Sequence, residues 1–262
     1  MGNKEVLPYS VSPVHSWTRE NFLRFGHLIC PVEVHLIGDG MFRAQELVRD
    51  GYGLVVVSNH FSLRDGPQVI ADVICGNELL RTRPILVPIA YHQCGKMVKM
   101  MGKFFDIQPL PIVTQETVDS GKDNGLPLGA GKDNYIMQVM TTLKQSGAVI
   151  LLPQVTRCSK LDAKPTARPL GLLFAQAEKF KLDKVALVFV GVSLKGLEDY
   201  NDKKARRYNI WKTYQLNLGP CYTKEEALSL AGGVKNVDQW SFDVLRTLVP
   251  KPYLVGGPSL KP

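Results

Sequence analysis

Asn59, His60 and Asp65 are the residues of this chain whose types and spacing could do chemistry together. They follow Tyr52-Gly53-Leu54-Val55-Val56-Val57, an apolar, β-branched run opened by a glycine turn, which reads as a short buried strand. A histidine just past such a strand stands at the rim of a sheet. Open α/β sheets gather their chemistry there, outside the carboxyl ends of the strands. Asp65 lies five residues after His60. On an ideal helix those side chains would point about 140° apart, so they meet only where a turn intervenes. Such a turn lets the carboxylate hold one imidazole nitrogen and leaves the other to take a proton from a hydroxyl. The same residues also suit a structural histidine with an acid nearby, and spacing leaves both open.

The elements around this motif alternate. Val32 to Ile37 reads as a strand, ended by Gly38-Asp39-Gly40, and Phe42 to Val48 as a short helix. Gln68 to Leu80 reads as a helix after the motif, Pro84 to Ala90 as an apolar strand, and Lys96 to Met101 as a short helix. Phe104 to Val113 is extended and broken by Pro109 and Pro111; Tyr135 to Gln145 is helical; Ala148 to Leu152 is a buried strand. Gly171 to Phe180 is a helix, Val185 to Val192 a buried strand, Tyr214 to Leu218 one more strand, and Lys224 to Leu230 and Trp240 to Leu248 the last helices. Strands alternating with helices predict an α/β fold, a largely parallel mixed sheet flanked by helices. No domain boundary is visible, so one domain over residues 1–262 is expected.

At the N-terminus, Ser16 to Phe25 reads as a helix that Ser16 can cap and Gly26 can stop. Trp17, Phe22 and Phe25 fall within an arc of about 140°, with Arg19, Glu20, Leu23 and Arg24 outside it. Such a face packs on its own domain or lies in a membrane interface. Ser120 to Asn134 reads as a loop in which Gly-Lys-Asp-Asn occurs twice, at 121–124 and 131–134. Neither copy fits the phosphate-cradling G-x-x-x-x-G-K-S/T pattern, which leaves a surface loop or a lid over the site.

Composition narrows the classes. The chain is 45% hydrophobic and 21% charged, which argues against disorder. Cys30, Cys75, Cys94, Cys158 and Cys221 form no C-x-x-C pair, which argues for reduced thiols in a cytoplasmic protein and against a metal site. There is no signal-peptide core and no run of roughly 18 apolar residues, so any membrane contact is expected to be peripheral. The net charge of +8 attracts polyanions such as anionic lipid or coenzyme A phosphates. The one tight basic run, Lys203-Lys204-Ala205-Arg206-Arg207, comes with no nucleic-acid motif, so no nucleic-acid partner is expected.

Asn-His-x-x-x-x-Asp directly after an apolar strand resembles the first signature of the glycerolipid acyltransferases, the glycerol-3-phosphate and lysophosphatidate acyltransferase family. A second segment, Leu152-Pro153-Gln154-Val155-Thr156-Arg157-Cys158, is similar to that family's F-P-E-G-T-R-S, with Leu152 for Phe, Gln154 for Glu, Val155 for Gly and Cys158 for Ser. Pro84 to Pro88, Gly102 to Ile107 and Val188 to Ser193 resemble further family segments, so the likeness covers about Val32 to Tyr222. It implies an acyltransferase-like domain that moves a fatty acyl group from acyl-CoA or acyl-carrier protein to a hydroxyl of a glycerolipid or lipid-like acceptor. His60 would be the general base and Asp65 the group that orients and charges it. Asn59, Gln154, Thr156 and Arg157 would line the substrate site. No cofactor is implied beyond the acyl donor as co-substrate.

Two departures stand out. The family's acceptor-phosphate Arg has Gln108 at the nearest position, and Gln154 removes a carboxylate. The likeness therefore implies a cytoplasmic enzyme, peripheral at an anionic membrane, with altered acceptor recognition. The alternative it leaves is a lipid- or acyl-binding relative without turnover. A serine hydrolase is disfavoured, because Gly191-Val192-Ser193-Leu194-Lys195 lacks the last glycine of G-x-S-x-G.

Overall fold

Among the described residues seven strands form one sheet. The computed structural model describes residues 17–21, 23, 24, 27, 31–60, 69–154, 161, 162, 164, 165, 168–195, 213–251 and 254. In chain order the strands are β1 (Val32–Leu36), β2 (Gly53–Ser58), β3 (Ile85–Ala90), β4 (Ile107–Ile112), β5 (Ala148–Leu151), β6 (Val185–Leu194) and β7 (Tyr214–Thr223). Across the sheet the order is β1-β7-β6-β2-β5-β3-β4. Every neighbouring pair is parallel except β6 with β7. Besides an N-terminal helical segment whose described residues include 17–21, the helices bounded within the described residues are α1 (Gly40–Arg49), α2 (Glu78–Arg81), α3 (Lys96–Phe105), α4 (Gln115–Asp119), α5 (Lys132–Lys144), α6 (Pro169–Lys179), α7 (Lys224–Ala231) and α8 (Val237–Leu248). This is the expected α/β architecture, a mostly parallel sheet flanked by helices.

β2, β5 and β6 are buried along their whole length, which explains their unbroken apolar runs. A parallel sheet covered on both faces has no polar side to alternate with. α5 lies on β2, β3, β4 and β5, while α1 and α8 each lie on β6 and β7. Gly53 is required where β2 meets α5: a Cβ there would sit 2.4 Å from the Leu143 carbonyl oxygen. β4 accommodates Pro109 and Pro111 because it is an edge strand. The two prolines are two residues apart, so both missing N–H donors fall on the same side of the strand.

The connections explain where a site can form. From β2 to β3 and from β3 to β4 the chain steps toward the β4 edge; from β4 to β5 and from β5 to β6 it steps back. By the general rule that parallel crossovers are right-handed, the first two connections belong on one face and the last two on the other. The chain therefore leaves the carboxyl ends of the neighbours β2 and β5 toward opposite faces. It does the same at the neighbours β3 and β4. Such reversals are where open α/β sheets generally form their crevices.

Several boundaries differ from the sequence reading. The single helix expected over Gln68 to Leu80 is a π-helical turn, Ile70–Cys75, followed by the short α2. Asn77 divides them: its backbone is extended, and its side chain accepts from the N–H groups of Leu79 and Leu80. α3 continues past Met101 to Phe105 and stops where Asp106 takes a left-handed conformation (φ 53°). β7 runs on to Thr223, because its apolar alternation resumes after Gly219-Pro220. The second Gly-Lys-Asp-Asn is not loop: Gly131 (φ 88°) caps α5, and Lys132 to Asn134 are its first turn. A β-carbon at Gly131 would meet the Pro111 carbonyl oxygen at 2.8 Å.

Among the described residues of the N-terminal helix, Trp17 and Arg19 sit opposite to the places their types predict. Trp17 is 65% exposed and Arg19 is fully buried. The Arg19 guanidinium donates to the carbonyls of Phe105 (2.8 Å), Arg81 (2.5 Å), Arg83 (2.8 Å) and Asp106. These carbonyls lie at the carboxyl ends of α2 and α3, where a helix leaves acceptors unsatisfied. One planar fork serves both ends, and Arg19 therefore points inward. Ser16, Phe22, Phe25 and Gly26 lie outside the described residues.

Candidate functional site

β2 ends at Ser58, and the next two residues hold the crevice together. Asn59 is fully buried. Its amide nitrogen donates to the Val192 carbonyl at 2.9 Å, and its carbonyl oxygen accepts from the Val192 N–H at 2.7 Å. The β2–β6 ladder stops at Ser58 opposite Val190, so the Asn59 side chain adds one more rung where the main chain turns away. A carboxamide presents the same donor and acceptor as a peptide, which is why Asn suits this position. Asn59 thus fixes the direction in which the chain leaves β2.

His60 is half-buried, with Nδ1 out of solvent. Its backbone N–H donates to Oε1 of Gln154 at 2.6 Å. Gln154 is buried and follows β5 by three residues. The contact spans the β2–β5 reversal, so both motifs meet there. Of the residues singled out from the sequence, the structure brings Asn59, His60 and Gln154 together. Asp65, Thr156 and Arg157 lie outside the described residues, as does the basic run from Lys203 to Arg207.

A neutral Gln at 154 has a local reason. The side-chain oxygen accepts from a backbone N–H inside the protein, and a neutral carboxamide does so without burying a charge. Asn59 and Gln154 both spend side-chain groups on the frame that presents His60. Neither the Asn59 rung nor the Gln154 contact could be read from residue type, because each depends on which strand end lies alongside.

The reversal at β3 and β4 carries a cavity of about 440 Å³, whose lining includes Tyr91, His92, Gly95, Lys99, Lys122 and Asn124. Tyr91, His92 and Gln93 form a short 3-10 turn directly after β3. His92 Nδ1 lies 2.9 Å from the Thr117 hydroxyl, and the Asn124 amide donates to the Tyr91 hydroxyl at 3.5 Å. Sequence reasoning missed these residues. The available signal was the one used for His60: polar, ring-bearing residues immediately past a buried strand.

The described cysteines do not offer a thiolate nucleophile. Burial pushes the thiols of Cys75 and Cys221 up to about 12 and raises that of Cys94. His60 is the titratable side chain that the described residues place at the end of the central strand β2. No protein-family model matches this chain, and no curated protein matches it at a significant level.

Proposed function

We propose that this protein is an O-acyltransferase that moves a fatty acyl group from acyl-CoA or acyl-carrier protein to a hydroxyl of a glycerolipid or lipid-like acceptor. One observation carries the reading. His60 stands at the carboxyl end of the central strand, at a reversal of chain direction, held by Asn59 against β6 and by Gln154 from β5. In this reading His60 takes the proton from the acceptor hydroxyl as its oxygen attacks the thioester carbonyl. The tetrahedral intermediate collapses, the C–S bond breaks, and the thiolate leaves with a proton. Asp65 orients the imidazole and stabilises its charged form. Thr156 and Arg157, just beyond Gln154, supply donors to the oxyanion or to a phosphate.

A second reading, an acyl- or lipid-binding protein without turnover, is favoured by Gln154, which brings no carboxylate to the crevice. Lipid mass spectrometry after incubation with mixed acyl-CoA and candidate hydroxyl acceptors separates the two. New acyl esters that accumulate in proportion to protein are expected. Bound acyl-CoA with no ester product would leave only the second reading.

The acceptor is reached at an anionic membrane surface in this proposal, from a cytoplasmic protein. Among the described residues no helix is long and apolar enough to cross a membrane. Along α3, Met100, Met101 and Phe104 are exposed, and so is Trp17, whose chain neighbour Thr18 donates its hydroxyl to the Phe104 carbonyl. Lys96, Lys99 and Lys103 are exposed on the same helix, which carries no acid. Apolar side chains next to lysines suit the boundary between headgroup and acyl chain. Co-flotation with anionic vesicles is expected, with Trp17→Ala/Phe104→Ala lowering the bound fraction several-fold. Equal flotation with neutral and anionic vesicles, unchanged by that double substitution, would remove membrane docking from the proposal.

A further inference from the structure

We infer that the cavity at the β3–β4 reversal holds the phosphate end of the acyl donor's pantetheine arm, an inference that rests on the acyl-transfer reading. The cavity is cationic. Among the described residues that line it there is no Asp or Glu, and it has lysines on two walls, Lys99 from α3 and Lys122 from the first Gly-Lys-Asp-Asn. Neither lysine enters an ion pair among the described residues. Both are exposed at the cavity rim, where an ammonium reaches a phosphate without being desolvated first.

The remaining donors fit the same ligand class. The Asn124 amide donates to the Tyr91 hydroxyl oxygen, which leaves the phenol proton for an acceptor in the cavity. That contact also ties the loop bearing Lys122 to the end of β3. Gly95, on the cavity wall, precedes α3 with no side-chain cap, so the helix's first N–H groups add partial positive charge to that of the lysines.

Position decides which phosphate. The cavity and His60 lie along the same edge of the sheet, at strand ends in the order β2-β5-β3-β4. Two to three strand spacings separate them, roughly 10–14 Å. In a glycerol phosphate the reacting hydroxyl and the phosphorus are at most roughly 6 Å apart, too short to reach from His60 to the cavity. A pantetheine arm has three short units joined by two amides and spans roughly 12–16 Å. An acyl thioester at His60 therefore sets its phosphate in the cavity. The acceptor approaches His60 from elsewhere, and the loss of the family's phosphate Arg at Gln108 does not affect the donor.

Isothermal titration of CoA, pantetheine and glycerol-3-phosphate against the full chain tests this. The comparison set is wild type, Lys99→Ala, Lys122→Ala and Lys144→Ala, the last removing an exposed lysine on α5 outside the cavity. CoA affinity is expected to fall roughly tenfold or more in each of the first two variants and to stay at the wild-type value in Lys144→Ala. Pantetheine, which lacks the phosphate, should bind weakly and equally to all four. No CoA binding to wild type, or equal CoA affinity in all four proteins, overturns the inference. So does a loss of affinity in the cavity variants confined to glycerol-3-phosphate, which would mark an acceptor-phosphate site. If CoA binds as expected but no ester product forms in the lipid assay, the transfer reading fails and the phosphate site stands. If ester forms and CoA affinity ignores both lysines, the cavity assignment alone fails.

Discussion

His60→Ala is expected to lower the rate of acyl transfer by roughly 10²–10⁴, the usual contribution of a positioned general base. The substitution removes the imidazole and leaves the frame. The contact with Gln154 uses the backbone N–H of His60, and the contacts with Val192 belong to Asn59. Folding should therefore survive, with a melting temperature close to wild type. KM for the acyl donor should change little, because the base acts on the acceptor's proton and not on the thioester arm. Steady-state rates with saturating acyl-CoA, read beside thermal unfolding, make the test. A well-folded His60→Ala protein that turns over at the wild-type rate would remove His60 from the chemistry.

The sheet was legible because its central strands are apolar on both faces. Leu54 to Val57, Ala148 to Leu151 and Val185 to Val192 have no polar alternation to confuse, and each is bounded by polar or turn residues. The position of Asn59 and His60 was legible for the same reason: a polar motif right after a buried strand falls at the carboxyl edge. What sequence could not supply was the neighbour relation. β2 pairs with β5 and β6, distant in sequence, and only that pairing gives Asn59 the Val192 backbone and gives the His60 N–H the Gln154 oxygen. By residue type Gln154 is one more polar residue past a buried strand; in the fold it is a backbone acceptor. The repeated Gly-Lys-Asp-Asn shows the same limit. One copy walls a cavity and the other starts α5, and only the surroundings, such as the Pro111 carbonyl against Gly131, distinguish them.

Arg19→Met is expected to cost roughly 3–5 kcal/mol of stability, the range for removing one partner from a buried charged network. Helical periodicity sets Arg19 on the polar side of its helix, and the structure buries it completely. Its guanidinium reaches the carbonyls of Arg81, Arg83, Phe105 and Asp106, with the Asp106 carboxylate 3.8 Å away. Met keeps much of the stem's volume and removes every donor. The carbonyls at the ends of α2 and α3 then lose their partner at once, and each buried acceptor left bare costs roughly 1–3 kcal/mol. Lys should restore only part of the loss: it keeps the charge, but three donors on one nitrogen cannot span carbonyls that the planar fork serves from three. Urea unfolding of wild type, Arg19→Met and Arg19→Lys at equal m-values gives the ranking directly. α3 carries Lys99 to the cavity and its far end depends on Arg19, so CoA affinity should weaken in Arg19→Met while Lys122 remains in place. A midpoint for Arg19→Met within roughly 0.5 kcal/mol of wild type, the range of an ordinary surface change, would mean that solvent and not Arg19 satisfies those helix ends.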